Sequence, residues 1–380
     1  MSVYDVAVIG CGSFGSWTAW HLRRAGLRVL LVDAWGPGHS RSSSGGESRI
    51  IRMGYGSDVI YTRMAMSSLE QWKDLERRAG ERLFHQSGVL WLAREGDSYS
   101  AATRASLAGE HVRTEILSAG ELAARYPQFR WPEAAVYAIF EPESGVLMAR
   151  RAVSAVVRDA VSMGAEYAIA SVGISTDGAV RSTSGDEIRA GQFVFACGPW
   201  LPKLFPELLG RRIYPTRQEV LFFAPSPGDS RFQPAAFPAW IDFTDPRGPY
   251  GVPDLESRGV KLAFDLHGPP FDPDEGDRRI TPDGVEAARR FLAERLPLLT
   301  DAPISETRVC QYENTSNGDF LLDRHPDFPN VWLAGGGSGH GFKHGPAVGE
   351  YLCGRIVHGT QEDPRFSLAS KLKQQQRTVY

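Results

Sequence analysis

The sequence predicts a two-part fold of the α/β plus α+β class, in which a parallel α/β unit is interleaved along the chain with a second unit built on a mostly antiparallel sheet. Three observations support this: a glycine-rich βαβ pattern opens the chain, apolar and polar residues alternate over 213–266, and a strand, glycine turn and helix pattern returns near the end. A chain of 380 residues is long enough for two domains.

The chain begins with a βαβ pattern. "YDVAVIG" at 4–10 is a short apolar run ending in glycine, and a helical pattern then runs through "SWTAWHLRRAG" to Gly26. A second strand-like run, "RVLLVD", ends at Asp33. Helical periodicity returns at 59–80 and 150–164, and "GQFVFACG" at 191–198 is typical of a strand.

The middle of the chain has a different pattern. Residues 83–145 predict short strands and a helix, 213–266 predict antiparallel strands, and 267–283 predict an exposed loop. An amphipathic helix is predicted at 283–299, before the strand, glycine turn and helix of 330–359. We therefore expect one domain from 1–82, 146–212 and 300–380, and another from 83–145 and 213–299.

Composition excludes several classes of protein. With 42 basic and 45 acidic residues, the net charge of −3 offers no general attraction to nucleic acid or to an anionic membrane, and we expect neither as a partner. The apolar stretch at 6–22 begins too abruptly for a signal peptide, so we expect a cytoplasmic protein. The four cysteines lie far apart without metal-ligand spacing, which predicts no disulfide framework and no metal site.

The N-terminal "GCGSFG" places Gly10, Gly12 and Gly15 in the G-x-G-x-x-G spacing between a strand and a helix. Gly10 permits the tight turn, Gly12 lets backbone N–H groups approach a pyrophosphate, and Gly15 allows close packing of helix on strand. Asp33, 23 residues after Gly10, could accept hydrogen bonds from an adenosine ribose. The motif predicts a dinucleotide site without separating NAD from FAD.

A second glycine segment, "LAGGGSGHGFKHG" at 333–345, follows a predicted strand and precedes a helix with Pro346 near its start. A reduced flavin carries negative charge near N1 and O2, which a helix N-terminus and Lys343 would stabilise. The alternative interpretation of this segment is a tight turn with a solvated lysine.

Seven blocks in order make the chain resemble the FAD-dependent D-amino-acid-oxidase superfamily and, within it, the group of monomeric sarcosine oxidase and N-methyltryptophan oxidase. The blocks are "VAVIGCGSFG" with "LLVD", "GGESRIIRMGYG" (45–56), "FEPESGVL" (140–147), "VFACGPW" (194–200), "GVKLAF" (259–264), "VCQYENTSNGDFLLDRHP" (309–326) and "GSGHGFK" (337–343).

The resemblance implies a Rossmann-like FAD-binding domain interleaved with a substrate domain on a mostly antiparallel sheet. It also implies a monomeric amine oxidase with a small amine or amino acid as substrate. Such enzymes oxidise the C–N bond of an N-methyl, secondary or cyclic amino acid to an imine, and O₂ is reduced to hydrogen peroxide.

The resemblance also implies roles for charged residues. Arg49 would lie beside the flavin ring, while Arg52 and Lys343 would bind the substrate carboxylate. The spacing of Arg49 and Arg52 predicts that they share one face of a helical turn; two surface arginines are the alternative. Lys261 would lie against the flavin as the charge that activates oxygen, although alternation in "GVKLAF" is equally typical of a solvent-facing lysine.

Further residues follow from the same resemblance. Cys310 would attach the flavin covalently through a thioether, whereas by residue type alone it is a small core residue. Tyr312 would line the substrate cavity on the face of the strand that carries Cys310, and we also expect Tyr250 at the substrate. The expected cofactor contacts are Gly10, Gly12, Ser13, Gly15, Asp33, Ser43, Ser48, Arg49, Val172, Cys310, Gly337, Gly339, Gly341 and Lys343.

Three departures from the family pattern affect these roles. Ser44 and Gly45 stand where relatives carry adjacent histidines associated with flavin attachment, Asp265 stands where many have an active-site histidine, and Gly337 replaces an aromatic residue. A carboxylate in place of an imidazole, and a smaller residue at 337, predict a substrate that is larger or more basic than sarcosine, with Asp265 in a catalytic position. Asp265 as a solvated residue at the end of a strand is the alternative.

Other functions remain open on sequence grounds. They are a flavin dehydrogenase that passes electrons to a carrier, an oxidase of a bulkier or basic amine such as a glycated amino acid, a nicotinamide-dependent enzyme, and a non-catalytic cofactor-binding protein. Lys261 disfavours the dehydrogenase. Buried cations without a ligand would be costly in a non-catalytic protein.

Overall fold

The computed structural model of the protein describes residues 3–131 and 136–376. Residues 1–2, 132–135 and 377–380 of the expected domains lie outside the described residues.

The strands are β1 (Tyr4–Ile9), β2 (Val29–Asp33), β3 (Arg49–Ile51), β4 (Phe84–His85), β5 (Val89–Arg94), β6 (Glu115–Leu117), β7 (Val136–Glu141), β8 (Gly145–Leu147), β9 (Glu166–Ile169), β10 (Val172–Ile174), β11 (Val180–Ser182), β12 (Ala190–Phe195), β13 (Ile213–Phe223), β14 (Ala239–Asp242), β15 (Pro249–Val252), β16 (Val260–Phe264), β17 (Ile304–Thr315), β18 (Leu321–Arg324) and β19 (Val331–Gly335). The helices are α1 (Ser13–Arg24), α2 (Val59–Ala79), α3 (Ser98–Gly109), α4 (Ala119–Arg125), α5 (Ala149–Ser162), α6 (Leu201–Leu204), α7 (Pro206–Leu209), α8 (Pro282–Arg295) and α9 (Gly345–His358).

A six-stranded sheet in the order β18-β19-β12-β1-β2-β9 forms the first layer. Its strands pair in parallel except for the antiparallel edge strand β18. The side chains of Val6, Ala7 and Val8 in β1 are fully buried, as expected of a parallel strand covered on both faces. The predicted α/β unit is confirmed.

An eight-stranded sheet in the order β17-β13-β16-β15-β14-β5-β7-β6 forms the second layer. All its pairings are antiparallel except that of β14 with β5, so the expected mostly antiparallel sheet is also confirmed. The division of the chain into domains stays a prediction. The predicted division assigns β17, within 300–380, to the α/β domain. In the structure β17 instead pairs along its whole length with β13 of the eight-stranded sheet.

Two local expectations were wrong. Arg49 and Arg52 do not share a helical turn, because Arg49–Ile51 forms strand β3, paired antiparallel with β8. The β-branched pair Ile50 and Ile51 favours this extended conformation. The described part of 83–145 contains two helices, α3 and α4, where the sequence predicted one.

Helices α1 and α9 pack closely because glycines face the contact. A Cβ on Gly349 would lie 2.5 Å from the backbone carbon of Trp17, and one on Gly345 would lie 2.3 Å from the Ser13 side-chain oxygen. Both helices follow parallel strands, β1 and β19, so their N-termini meet at the carboxyl edge of the six-stranded sheet. This is where ligands bind in open α/β sheets.

None of the helices within residues 3–131 and 136–376 has the length and apolar character that crossing a bilayer requires.

Candidate active site

The N-terminal glycine turn has the close contacts that its sequence predicts. Gly10 has a φ of +105°, and a Cβ there would lie 2.4 Å from the Ala196 carbonyl oxygen. A Cβ on Gly15 would lie 1.9 Å from the carbonyl oxygen of Gly10. Glycine is therefore required at both positions, the first for its backbone conformation and the second for the approach of α1 to β1.

The two glycine segments are joined directly. The Ser13 hydroxyl donates to the Phe342 carbonyl at 2.7 Å, and the Ser13 backbone N–H donates to the Ser44 hydroxyl at 3.0 Å. The first turn of α1 thus holds both the C-terminal segment and the 39–46 loop. Although about three hundred residues apart in sequence, the two segments form one wall.

In the C-terminal segment the glycines make room for neighbours. A Cβ on Gly339, whose φ is +83°, would lie 2.8 Å from the ring of Tyr312. A Cβ on Gly341 would lie 2.8 Å from the Cα of Gly337. The segment is therefore folded back on itself beneath an aromatic ring, and the alternative of an open turn with a solvated lysine is wrong, since Lys343 is buried.

A cavity of about 410 Å³ lies along this wall. At one end it is lined by Asp33, Trp35 and His39, and at the other by Arg49 and Cys310. The expected cofactor contacts that line it are Gly10, Gly12, Ser13, Asp33, Ser43, Arg49, Val172, Cys310, Gly337, Gly339 and Gly341. Gly15, Ser48 and Lys343, also expected to contact the cofactor, lie outside this lining.

Asp33 is held in place by backbone groups. Its carboxylate accepts hydrogen bonds from the N–H groups of Cys11 at 2.7 Å, Trp35 at 2.8 Å and Gly36 at 2.9 Å. A carboxylate oxygen can accept more than one hydrogen bond, so Asp33 keeps acceptor capacity toward the cavity that it lines.

Arg49 and Lys261 share one acceptor at the other end. The Ser48 carbonyl oxygen accepts from Arg49 Nη1 at 2.7 Å and from Lys261 Nζ at 3.1 Å. Lys261 is only 2% exposed, so its solvent-facing alternative is wrong. Burial, with a smaller effect of the Arg49 charge, lowers the pKa of Lys261 to about 7.

Arg52 and Lys343 form a second pair of buried cations around Tyr55. The Arg52 guanidinium carbon lies 4.5 Å from the centre of the Tyr55 ring and 4.3 Å from that of Trp91. Lys343 Nζ donates to the Tyr55 hydroxyl at 2.6 Å and to the His340 carbonyl at 3.0 Å. Burial, and then the positive charge of Arg52, hold the pKa of Lys343 well below its usual value.

Among the described residues, none of the close ion pairs includes Arg49, Arg52, Lys261 or Lys343, although the charges of Asp265 and Glu141 favour the protonated form of Lys343. The alternative that Arg49 and Arg52 are surface residues is wrong for Arg52, because only 5% of this residue is exposed. Burying cations without a neutralising partner is unfavourable, so these two pairs suit an anionic or electron-rich ligand.

Glu141 supports the Arg52 pair and was not singled out from the sequence, although it lies in the block "FEPESGVL". Its buried carboxylate accepts from the N–H groups of Met53 at 2.7 Å and Gly54 at 3.0 Å, and from Trp91 Nε1 at 2.9 Å. Arg52 in turn donates to the Gly54 carbonyl. Glu141 thus fixes the backbone after Arg52 and one of the two rings that enclose it.

Tyr250, Tyr312 and Asp265 lie between the two cation pairs. The Tyr312 hydroxyl donates to Asp265 Oδ1 at 2.7 Å, and Lys261 Nζ lies 5.3 Å from the centre of the Tyr250 ring. Burial, together with the Asp265 charge, raises the pKa of both tyrosines. Asp265 directly follows β16 and is half-buried; its hydrogen bond to Tyr312 places it at the site, and its catalytic role stays a prediction.

Cys310 has the surroundings of a reactive group. It lines the cavity, and its sulfur lies 3.5 Å from Arg49 Nη2. Tyr312 follows on the same strand, β17, and also lines the cavity, as its spacing from Cys310 predicts.

Glu313 is a second residue that the sequence analysis did not single out. It lines the cavity, its Oε2 is shielded from water without a hydrogen-bond partner, and burial raises its pKa to about 7. Although it lies in the block "VCQYENTSNGDFLLDRHP", strand alternation places its side chain on the face opposite Tyr312, which would not predict a position at the cavity.

These features fit the FAD that the sequence predicts. The cavity combines an adenosine-type acceptor in Asp33, a helix N-terminus at α1 suited to a pyrophosphate, and cations where a ring would end. Glu313 Oε2, at the cavity, is buried without a hydrogen-bond partner among the described residues, as expected where a polar ligand completes the hydrogen bonding.

Comparison with known proteins agrees with this geometry. The chain is 33% identical over 368 residues to monomeric sarcosine oxidase of Bacillus sp. strain B-0618, covering 94% of this chain and 93% of the relative. It is 30% identical to N-methyl-L-tryptophan oxidase of Citrobacter koseri, covering 96% and 97%. The crystal structure of L-proline dehydrogenase from P. horikoshii superposes with a TM-score of 0.84, at 21% identity and 96% coverage of both chains.

That structural similarity shows the shared fold alone, because the identity is low. The family described as FAD dependent oxidoreductase matches residues 5–355. Nearly the whole chain is covered by this match and by relatives at 30% identity or more. The chain belongs to the FAD-dependent oxidoreductase family, as the resemblance over seven blocks of its sequence implied.

Proposed function

We propose that this enzyme is a flavin-dependent amine oxidase, which oxidises the C–N bond of an N-methyl, secondary or cyclic amino acid to an imine and reduces O₂ to hydrogen peroxide. The observation that carries the proposal is the buried pair Arg52 and Lys343, which has no acidic partner within ion-pair distance among the described residues. An amino acid carboxylate supplies a negative charge in addition to those of Asp265 and Glu141, which already act on Lys343.

Arg52 suits a carboxylate because its guanidinium is planar, always charged and held between the Tyr55 and Trp91 rings. Lys343, when protonated, adds a second positive charge at the hydroxyl group of the same Tyr55 side chain. A carboxylate bound between them raises the pKa of Lys343 toward its ordinary value, so substrate binding favours the charged lysine.

When bound, FAD accepts the hydride that leaves the carbon next to the amine nitrogen. The role of Lys261 and Arg49 is to keep positive charge beside the flavin end of the cavity. A positive charge there favours electron transfer to O₂, because the reduced oxygen species is negative. Lys261 is protonated in part at neutral pH, and negative charge nearby increases the protonated fraction.

Asp265 favours a substrate with a cationic amine or a basic side chain. Its Oδ1 accepts from Tyr312, and its charge acts on Lys343, so it faces the region between the carboxylate pair and the tyrosines. The smaller residue at 337 contributes less to substrate size than the sequence suggested. A Cβ at Gly337 would lie 3.3 Å from Glu313 and 3.6 Å from Gly341, both of which line the cofactor cavity.

We propose covalent attachment of FAD through Cys310. The sulfur lines the cavity beside Arg49, at the end where the flavin ring would lie. Ser44, in place of a histidine, donates no charge of its own; its hydroxyl instead accepts from Ser13. Colour that remains with acid-precipitated protein would support the thioether, and colour lost to the supernatant would contradict it.

A dehydrogenase that passes electrons to a carrier is the second candidate, because the chain shares its fold with an L-proline dehydrogenase. The buried Lys261 favours the oxidase. An oxidase of a glycated amino acid is the further alternative. We also propose a cytoplasmic monomer whose partners are its small-molecule substrate and O₂, without nucleic acid or membrane.

The test is a peroxide-coupled screen of sarcosine, N-methyl amino acids, proline, pipecolate, glycated amino acids and simple amines. Each compound is also mixed with the enzyme without oxygen, and loss of flavin absorbance is followed. An oxidase bleaches with its substrate and recovers at once in air with peroxide formation. A substrate that bleaches the flavin without recovery in air would favour the dehydrogenase, and amines without a carboxylate as the best substrates would contradict the role of Arg52 and Lys343. If sarcosine were the best substrate, the inferred selectivity of Asp265 would be wrong.

A further inference from the structure

The glycine turn at 335–337 is built around the carboxyl group of Glu313. A Cβ on Gly335 would lie 3.1 Å from Glu313 Oε2, and one on Gly337 would lie 3.3 Å from Oε1. The backbone N–H groups of Gly336 and Gly337 favour the charged form of the carboxyl group, and the Ser338 N–H donates to the Glu313 carbonyl at 3.2 Å. Strand and turn are therefore fixed against each other at this position.

These contacts leave Glu313 incompletely satisfied. Oε2 is shielded from water and has no hydrogen-bond partner, and no described cation lies within ion-pair distance of the carboxyl group. Buried polar groups are nearly always hydrogen-bonded, and an unpaired buried carboxylate is costly. A residue that only anchored the turn would need no carboxylate oxygen left without a partner.

The position of Glu313 along the cavity indicates which part of a ligand it meets. A Cβ on Gly198 would lie 3.9 Å from Oε2, and a Cβ on Gly10 would lie 2.4 Å from the carbonyl oxygen of Ala196, two residues before Gly198. Glu313 thus lies next to the phosphate-binding turn, while Cys310 is three residues earlier on the same strand. Between a pyrophosphate at α1 and a ring at Cys310, FAD has the ribityl chain, whose hydroxyl groups donate hydrogen bonds.

We propose that the Glu313 carboxyl group binds a hydroxyl of the ribityl chain of FAD and so fixes the distance between the pyrophosphate and the ring. This inference rests on the proposed binding of FAD and names a contact within that site. The hydroxyl supplies the partner that the shielded carboxyl group lacks, after a small rotation of the side chain. Burial raises the pKa of Glu313 to about 7. With the ribityl hydroxyl bound, the buried carboxyl group has a hydrogen-bond donor and is no longer an unpaired charge.

The experiment measures FAD affinity in the full chain carrying Cys310→Ser, in which no thioether can form. Flavin is removed, and FAD or an analogue lacking one ribityl hydroxyl is titrated while flavin fluorescence is followed. Each analogue lacks a different ribityl hydroxyl. In the parent chain we expect one of them to bind roughly 10- to 100-fold more weakly than FAD, as for a lost hydrogen bond to a charged group. In Glu313→Ala, the affinity for FAD should fall by a similar factor, and this variant should bind that analogue as tightly as it binds FAD.

Glu306→Ala is the matched control, since Glu306 lies on the same strand outside the cavity and pairs with Arg258 and Arg308; it should leave all affinities unchanged. Glu313→Gln, which keeps the shape and an acceptor, serves if the alanine variant does not fold, and it should keep discrimination between FAD and the analogue. Equal weakening of FAD and every analogue by Glu313→Ala, or no weakening, would overturn the contact. A folded parent chain that binds no FAD at all would overturn the proposed function, and this contact with it.

Discussion

Replacing Lys261 by methionine tests whether the site really buries a cation. Lys261 is 2% exposed, and burial lowers its pKa from 10.5 to about 7. Each pKa unit corresponds to about 1.4 kcal/mol, so keeping this lysine charged in the folded state costs about 5 kcal/mol. The hydrogen bond to the Ser48 carbonyl, which Lys261→Met removes, offsets about 1 kcal/mol.

The sign of the pH dependence follows from the two states. Between pH 7 and 10.5 the unfolded chain keeps the Lys261 proton while the folded protein releases it, so the stability of the natural protein rises with pH there. Below pH 7 the lysine is charged in both states, and the full cost is present. Lys261→Met should therefore be more stable than the natural protein by a few kcal/mol at pH 6, and the gain should shrink by about 1.4 kcal/mol per pH unit above pH 7.

Urea unfolding at several pH values, at matched flavin content, measures this difference. Lys203→Met is the control, because Lys203 is partly exposed and paired with Asp272 and Asp274. Lys203→Met should not be more stable than the natural protein at pH 6, and the difference in their free energies of unfolding should not fall above pH 7. A Lys261→Met protein with the same pH profile as the natural one would refute the buried cation and, with it, the basis for its role toward oxygen.

Three further changes have distinct expected results. Arg52→Ala should raise the KM for a carboxylate substrate about 100-fold, since an anion then lies beside Lys343 alone; an unchanged KM in steady-state assays would contradict the carboxylate role. Glu141→Gln should lower the melting temperature and raise the same KM, because two N–H groups and the Trp91 ring lose a charged acceptor; a change in kcat alone would contradict its positioning role. Gly15→Ala should yield little folded protein or protein without flavin, because its Cβ would overlap the Gly10 carbonyl; normal flavin content after purification would show that the turn can shift.

Much of the α/β part was predictable because its signals are local. The strand that ends at Gly10, the G-x-G-x-x-G spacing and the helix after it are set by neighbouring residues, and the structure has them where the sequence places them. The alternation over 213–266 likewise predicted antiparallel strands. The pairing of β17 with β13 depends on contacts about a hundred residues apart, which periodicity within either segment does not contain.

The site was less predictable, for the same reason. Alternation in "GVKLAF" places Lys261 opposite Val260 and Leu262, yet all three are buried, because other elements cover both faces of β16. Spacing in a helix suggested a shared face for Arg49 and Arg52, but pairing with β8 made the segment extended. Glu313 is enclosed by Gly198 and by the glycine turn at 335–337, which periodicity within β17 does not contain.

The central claim is that two separated glycine segments and the buried cations beside them form one FAD site, and the absorption spectrum of the purified full chain tests it most directly. We expect yellow protein with the absorption of an oxidised flavin in about one equivalent per chain, and Gly15→Ala should lose it. A folded protein that is colourless and takes up no FAD on reconstitution would contradict the account.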